Sequence, residues 1–177
     1  MLTAKGAATR ARIVEGAADL VLARGVGGTS LDDIRAGTGT SKSQLFHYFP
    51  DGKAELVEAI ADFQFERVLD AQRPHIDELD SVESWERWRD AVVRHYRDHL
   101  ACPISAMSAE AGVDVRPHMD RWFAYLRAGV DDERTALAVF AALQGGLALM
   151  KAAHSIEPLE AALDGALIIL RAGPLSR

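Results

Sequence analysis

The chain has 177 residues, 49% of them apolar, and a formal net charge of −6. The apolar fraction excludes a disordered chain, and the single Cys102 excludes an internal disulfide. The charge is uneven: residues 1–53 carry seven basic and five acidic side chains, a net of +2, which leaves −8 for residues 54–177. A basic excess confined to one end is expected where that end alone meets nucleic acid. The N-terminus lacks the apolar core of a signal peptide. The most apolar run, ALAVFAALQGGLALM, is broken by Gln144, Gly145 and Gly146 and reads as too short to span a membrane. A cytoplasmic protein without a membrane partner is therefore expected.

Residues 1–7 read as a flexible arm, from which Lys5, with Arg10 and Arg12 behind it, could reach a DNA backbone or remain in solvent. A helix follows over residues 8–23, with Ile13, Ala17, Leu20 and Val21 at helical spacing and Arg24-Gly25 as its stop. The stretch TSLDDIRAGTGTSKSQLFHYF then holds two short helix signals around a turn. Thr29 or Ser30 opens the first, and Ser30 with Asp33 has capping-box spacing. Gly37 and Gly39 break that helix, and Ser41-x-x-Gln44 caps the second. Leu45, Phe46 and Phe49 are expected to face inward. Lys42, Ser43, Gln44 and His47 are left outward, with donors and acceptors suited to phosphates and base edges. Two short helices joined this way predict a helix-turn-helix whose second helix enters the major groove. The full DNA-facing set is Thr29, Ser30, Thr40, Ser41, Lys42, Ser43, Gln44, His47, Tyr48 and Lys53, with Gln44 a candidate partner of adenine and Lys53 of a phosphate.

The run SKSQLFHYFPDGKAEL resembles the recognition-helix region of TetR-type bacterial transcriptional repressors, and the resemblance covers roughly the first third of the chain. Thr40 stands where an apolar residue is usual, Phe46 replaces a more frequent Tyr, and Asp51-Gly52 lengthens the turn before Lys53 by one residue. The resemblance implies an all-α protein in two domains. Residues 1–53 would form a three-helix helix-turn-helix DNA-binding domain, and a long helix would join it to a helical ligand-binding and dimerisation domain over residues 54–177. It also implies a homodimer on a palindromic operator, released by a small lipophilic effector, with no cofactor and no enzymatic activity.

A long helix is predicted from Lys53, carrying Leu56, Val57, Ile60, Phe63, Val68 and Leu69 and ending near Pro74. In the helix over 80–100, Trp85, Trp88, Val92, Tyr96 and Leu100 make one aromatic stripe. Such a stripe is ordinarily core; the resemblance makes it the lining of an effector cavity. The candidate ligand set is Phe63, Trp85, Trp88, Tyr96, Cys102, Met107, His118, Trp122, Phe123, Leu126 and Gln144. A short helix is expected over Ile104–Glu110 and another over Arg116–Arg127. The last two helices, from Asp132 and from Pro158, are apolar on more than one side. Helices of that kind must be covered on more than one side, which two copies of the chain achieve as an intermolecular four-helix bundle. Phe140, Leu143, Leu147, Met150, Leu163, Leu167 and Leu170 are the candidate dimer residues.

No G-x-S-x-G, P-loop, G-x-G-x-x-G or H-E-x-x-H motif is present. His95 and His99 have a metal-ligand spacing that Cys102 and His118 could complete, but helix histidines are more often surface groups, so no metal is assigned. The competing reading is a small helical ligand carrier or enzyme that kept the bundle without reading DNA; binding to an operator separates the two.

Overall fold

The computed structural model describes residues 3–98, 100–104, 107 and 112–173. Among them are eight α-helices and no strand: α1 Ala4–Arg24, α2 Leu31–Thr38, α3 Lys42–Tyr48, α4 Lys53–Asp70, α5 Val82–Arg97, α6 Arg116–Ala128, α7 Glu133–Ala153 and α8 Glu157–Ala172. The all-α expectation holds. The chain forms two compact units: residues 1–66 with 103–115, and residues 67–102 with 116–177. Helix α4 contributes its residues through Glu66 to the first and its last turn to the second. The predicted helix over Ile104–Glu110 falls largely outside the described residues.

In the first unit, α1 begins earlier than the sequence suggests. Thr3 caps it by accepting the Gly6 N–H at 3.2 Å, so residues from Ala4 are helix rather than arm. Ile13, Val14, Ala17, Ala18 and Val21 bury one face of α1 against Ile34, Leu45, Phe49, Leu56, Val57 and Ile60. Gly16 lets α1 approach α2 closely, because a Cβ there would lie 2.8 Å from Thr38 Cγ2. Met107 and half-buried Phe63 pack on this same core, which removes both from the aromatic set of the second unit.

In the second unit, Ser81 caps α5 reciprocally with Ser84. Trp85, Trp88, Val92 and Tyr96 are buried, as the stripe predicts. Leu100 is not part of it: α5 ends at Arg97, and Leu100 lies beyond with a left-handed φ of 44°. Asp132 caps α7 through the Thr135 N–H at 2.9 Å. Helices α7 and α8 pair as a hairpin that closes on Gly146, where a Cβ would meet Ala162 Cβ and Leu159 Cδ1, both at 3.0 Å. Arg89–Asp164 at 2.9 Å and Arg97–Glu160 at 2.8 Å join α5 to α8. Such pairs near the surface contribute only about 0–1 kcal/mol each, so apolar burial decides the packing.

The hairpin revises the expected dimer residues. Leu143, Leu147 and Met150 of α7 and Leu163, Leu167 and Leu170 of α8 are buried within the chain. Phe140 is half-buried and packs against the rings of Trp122 and Phe123. The opposite faces are the exposed ones, with Leu149 at 60% and Ile168 at 65% exposure, together with Leu137 and Ile169. Helix α7 corrects the reading of its apolar run as too short to span a membrane. It is 21 residues long and holds an 18-residue window with a mean hydropathy of 1.6, so by length and composition alone it could cross a bilayer, Gln144 and the glycines notwithstanding.

Candidate nucleic-acid interface

The geometry of α2 and α3 follows from two local capping boxes. Ser30 Oγ accepts the Asp33 N–H at 3.1 Å while Asp33 Oδ2 accepts the Ser30 N–H at 2.8 Å. The Ser30 hydroxyl and backbone N–H hold the Asp33 carboxyl below the usual carboxylate range, with a smaller contribution from Arg24. Ser41 Oγ accepts the Gln44 N–H at 3.2 Å, and Gln44 Oε1 accepts the Ser41 N–H at 3.2 Å. Each box satisfies two backbone or side-chain donors at a helix start, and such a cap is worth about 1 kcal/mol. Between the helices Gly39 takes φ 61°, the left-handed region that favours glycine, and its N–H returns to the Arg35 carbonyl.

The turn is held from inside. Thr38 Oγ1 donates to the Ile34 carbonyl at 2.7 Å and, with its one hydrogen so used, accepts from the Thr40 hydroxyl 2.9 Å away. The Arg12 guanidinium donates to the Thr38 carbonyl from α1. Arg10 places its guanidinium 4.8 Å from the centre of the Phe49 ring. Two of the basic residues read as DNA-reaching therefore fasten the first unit together, while Lys5 is exposed.

The ten expected DNA-facing residues divide accordingly. Ser41, Lys42, Ser43, Gln44 and His47 are exposed together on α3, anchored beneath by fully buried Leu45. Tyr48 is half-buried and meets His47 edge-on, with ring centres 4.9 Å apart. Ser30 is exposed, but its hydroxyl is engaged by Asp33. Thr29 and Thr40 are not on this face: both are buried, and Thr29 Oγ1 donates to the Gly25 carbonyl at 2.8 Å. Thr40 fills the usual apolar position because Thr38 supplies its hydroxyl with a partner. Lys53 is half-buried and its Nζ donates to the Val26 carbonyl at 2.7 Å, which leaves two of its three N–H groups for another acceptor. Phe46, expected inside, is 40% exposed. The lengthened turn closes through Gly52 N–H to the Phe49 carbonyl at 3.0 Å, with Asp51 N–H donating to Glu55 Oε2 at 3.2 Å.

The remaining effector candidates lie in the second unit. Trp85, Trp88, Tyr96, Cys102, His118, Trp122 and Leu126 are buried, and Phe123 and Gln144 are half-buried. Sequence reasoning missed the residue that ties them together. Gln72, fully buried, accepts the Trp88 indole N–H at 2.8 Å and the Trp122 indole N–H at 3.3 Å on one oxygen, while its own Nε2 donates to the Val68 carbonyl. No helical periodicity marks it, since it lies past the end of α4. Trp85 Nε1, Tyr96 OH and Gln144 Nε2 are buried without a nitrogen or oxygen acceptor. Burial first, then the neighbouring Cys102 thiol, push the Tyr96 phenol well above the ordinary tyrosine range. Among the described residues this unit buries no Asp, Glu, Lys or Arg. His99 lies outside the described residues, so the His95–His99 spacing has no geometry to report.

Residues 13–60, from the core of α1 into α4, match the model of the bacterial regulatory proteins, tetR family. An uncharacterized HTH-type transcriptional regulator of Mycobacterium tuberculosis is 28% identical over 178 residues, covering 85% of this chain and 88% of the relative. A second such regulator, from Lactococcus lactis, is 24% identical over 88% of this chain and 90% of its own length. Among solved structures, a TetR transcriptional regulator from Chloroflexus aurantiacus superposes with a TM-score of 0.75 at 25% identity, covering 99% of this chain and 100% of that one. A TetR-family regulator from Pectobacterium atrosepticum shares the fold with a TM-score of 0.58 at 19% identity, over 97% and 95% of the two chains. The capped helix-turn-helix, the tetR-family match over residues 13–60 and relatives that span nearly the whole chain together support one assignment, a DNA-binding transcriptional regulator of the tetR type.

Proposed function

We propose that the protein is a cytoplasmic repressor that binds a palindromic operator as a homodimer and is released by a small apolar effector. The observation that carries this reading is the exposed polar face of α3, Ser41 to Gln44 with His47, on a buried Leu45 anchor and beside an internally braced turn. In functional terms residues 1–53 read DNA, and residues 54–177 dimerise and take the effector.

The dimer reading is supported by the uncovered apolar faces of α7 and α8, with Leu137, Leu149, Ile168 and Ile169 exposed. A C2 pair of such hairpins makes a four-helix interface and supplies the two-fold symmetry that a palindrome matches. The effector reading is supported by the buried indole, phenol and amide donors of Trp85, Tyr96 and Gln144. An interior with donors to fill and, among the described residues, no buried carboxylate, lysine or arginine suits a neutral apolar molecule with a carbonyl-type oxygen. Release requires that this molecule bind one arrangement of the dimer better than the other, since equal affinity shifts nothing. Helix α4, unbroken from Lys53 to Asp70, is the covalent path along which such a preference passes.

The test is fluorescence anisotropy of purified protein on the DNA upstream of its own gene, titrated with protein, salt and apolar carbonyl compounds. Nanomolar binding at an inverted repeat, lost on adding one of the compounds, supports the proposal. Equal binding to random duplex rejects operator reading.

A further inference from the structure

We infer that Gln44 reads DNA through its NH₂ donors and thereby selects a guanine at one position of each half-site. The inference rests on the reading of α3 as the base-contacting helix and concerns what its most adaptable side chain can accept.

A glutamine amide offers one acceptor and two donor hydrogens, and rotation by half a turn exchanges them. In this chain the rotation is fixed by chemistry. The Ser41 backbone N–H is a donor with no acceptor capacity, and it lies 3.2 Å from the Gln44 side chain, so the oxygen faces it. The reciprocal bond from Gln44 N–H to Ser41 Oγ, also 3.2 Å, holds the same pair of residues together, and Ser43 Oγ lies 3.2 Å from that oxygen. The NH₂ group is therefore the end of the amide turned away from the backbone.

Base edges in the major groove differ in what they present. Adenine pairs with a glutamine that donates to N7 and accepts from the N6 amino group, which asks the oxygen already turned to the Ser41 N–H to give its second lone pair to the base. Guanine presents two acceptors, O6 and N7, and satisfies an outward NH₂ with the capping box intact. Cytosine presents an amino donor and opposes it, and thymine presents one acceptor, O4, beside its methyl group, where guanine presents two. Lys42, exposed beside Gln44, adds donors and no acceptor, so the start of this face is biased towards acceptor-rich edges.

The experiment uses the whole 177-residue chain and a library of duplexes randomised around the operator, with enrichment read by sequencing. The wild type is expected to enrich guanine at one position of each half-site, with about tenfold weaker binding when it becomes adenine or cytosine, as one lost hydrogen bond to a base predicts. Gln44→Glu keeps an oxygen for the Ser41 N–H and removes the donors; it is expected to turn the preference at that position to cytosine. Gln44→Met is expected to flatten it. Adenine at the Gln44-dependent position would overturn the inference and leave DNA reading intact. So would a uniform loss across all sequences in both variants, which marks a phosphate contact. If the wild type enriches no sequence, the assignment of α3 as a reading helix falls, and the inference with it.

Discussion

The indole N–H of Trp88 and the side-chain oxygen of Gln72 are 2.8 Å apart in the second unit, and the same oxygen receives the indole N–H of Trp122 at 3.3 Å. One buried amide thus satisfies donors from two helices that approach from different parts of the chain. Gln72→Leu removes the acceptor that both indoles share in an apolar surrounding. An unmet buried donor costs about 1–3 kcal/mol, so a loss of about 2–5 kcal/mol in unfolding free energy is expected from urea titration. Operator affinity of the folded fraction should change little, because the first unit does not contain Gln72. A loss below about 0.5 kcal/mol would show that the two bonds contribute no net stability.

The dimer prediction separates the two sides of the hairpin. Leu149→Arg combined with Ile168→Arg places charge on faces that are now 60% and 65% exposed in the single chain. Soluble, helical monomers are expected by analytical ultracentrifugation, with operator binding lost. Leu147→Arg, on the buried side, is expected to give unfolded or insoluble protein instead, because an unpaired charge cannot be accommodated there. A folded dimer from the double variant would place the interface elsewhere.

Lys53 gives a prediction about affinity without specificity. Its Nζ bridges to the Val26 carbonyl at 2.7 Å and still carries donors for one phosphate. Lys53→Met should weaken specific and random duplexes alike and lower the slope of log affinity against log salt by about 0.9 per chain, the value for one released counterion. An unchanged slope would assign the amine to the Val26 carbonyl alone.

The capped helices were legible in the sequence because their determinants lie three residues apart. Ser30 with Asp33 and Ser41 with Gln44 form the expected boxes. The stripe of Trp85, Trp88, Val92 and Tyr96 was legible because burial on one helix face has a period. Relations across the chain were not. Arg12 reaches the Thr38 carbonyl 26 residues away, and nothing local distinguishes it from a phosphate-binding arginine. On α7 and α8 the sequence is apolar on both sides, so periodicity cannot tell Leu147, which is buried, from Leu149, which is exposed. Gln72 lay in a helix-ending segment where polar residues are ordinary; only the arrival of two indoles from α5 and α6 gives it a role.

Tyr96 offers a test in which stability and binding move in opposite directions. Its hydroxyl is buried, lacks a nitrogen or oxygen acceptor and sits by the Cys102 thiol. Tyr96→Phe removes a buried hydroxyl that meets only the weak thiol of Cys102, so the unliganded protein should be as stable as the wild type or about 1 kcal/mol more so. If the phenol serves an effector's carbonyl, the same change should weaken that effector about five- to tenfold, the value of one neutral hydrogen bond. The pH dependence supplies an independent check. The folded phenol titrates well above the ordinary value of 10.0, chiefly because it is buried. Its contribution to stability is therefore complete below about pH 10 and falls as pH rises beyond it, by up to about 1.4 kcal/mol per pH unit while the unfolded phenol ionises and the folded one does not. Chemical denaturation from pH 8 to 11 should show this extra loss in the wild type and not in Tyr96→Phe. Parallel curves would mean that Tyr96 meets solvent in the native state; a less stable variant with unchanged effector affinity would make the hydroxyl structural.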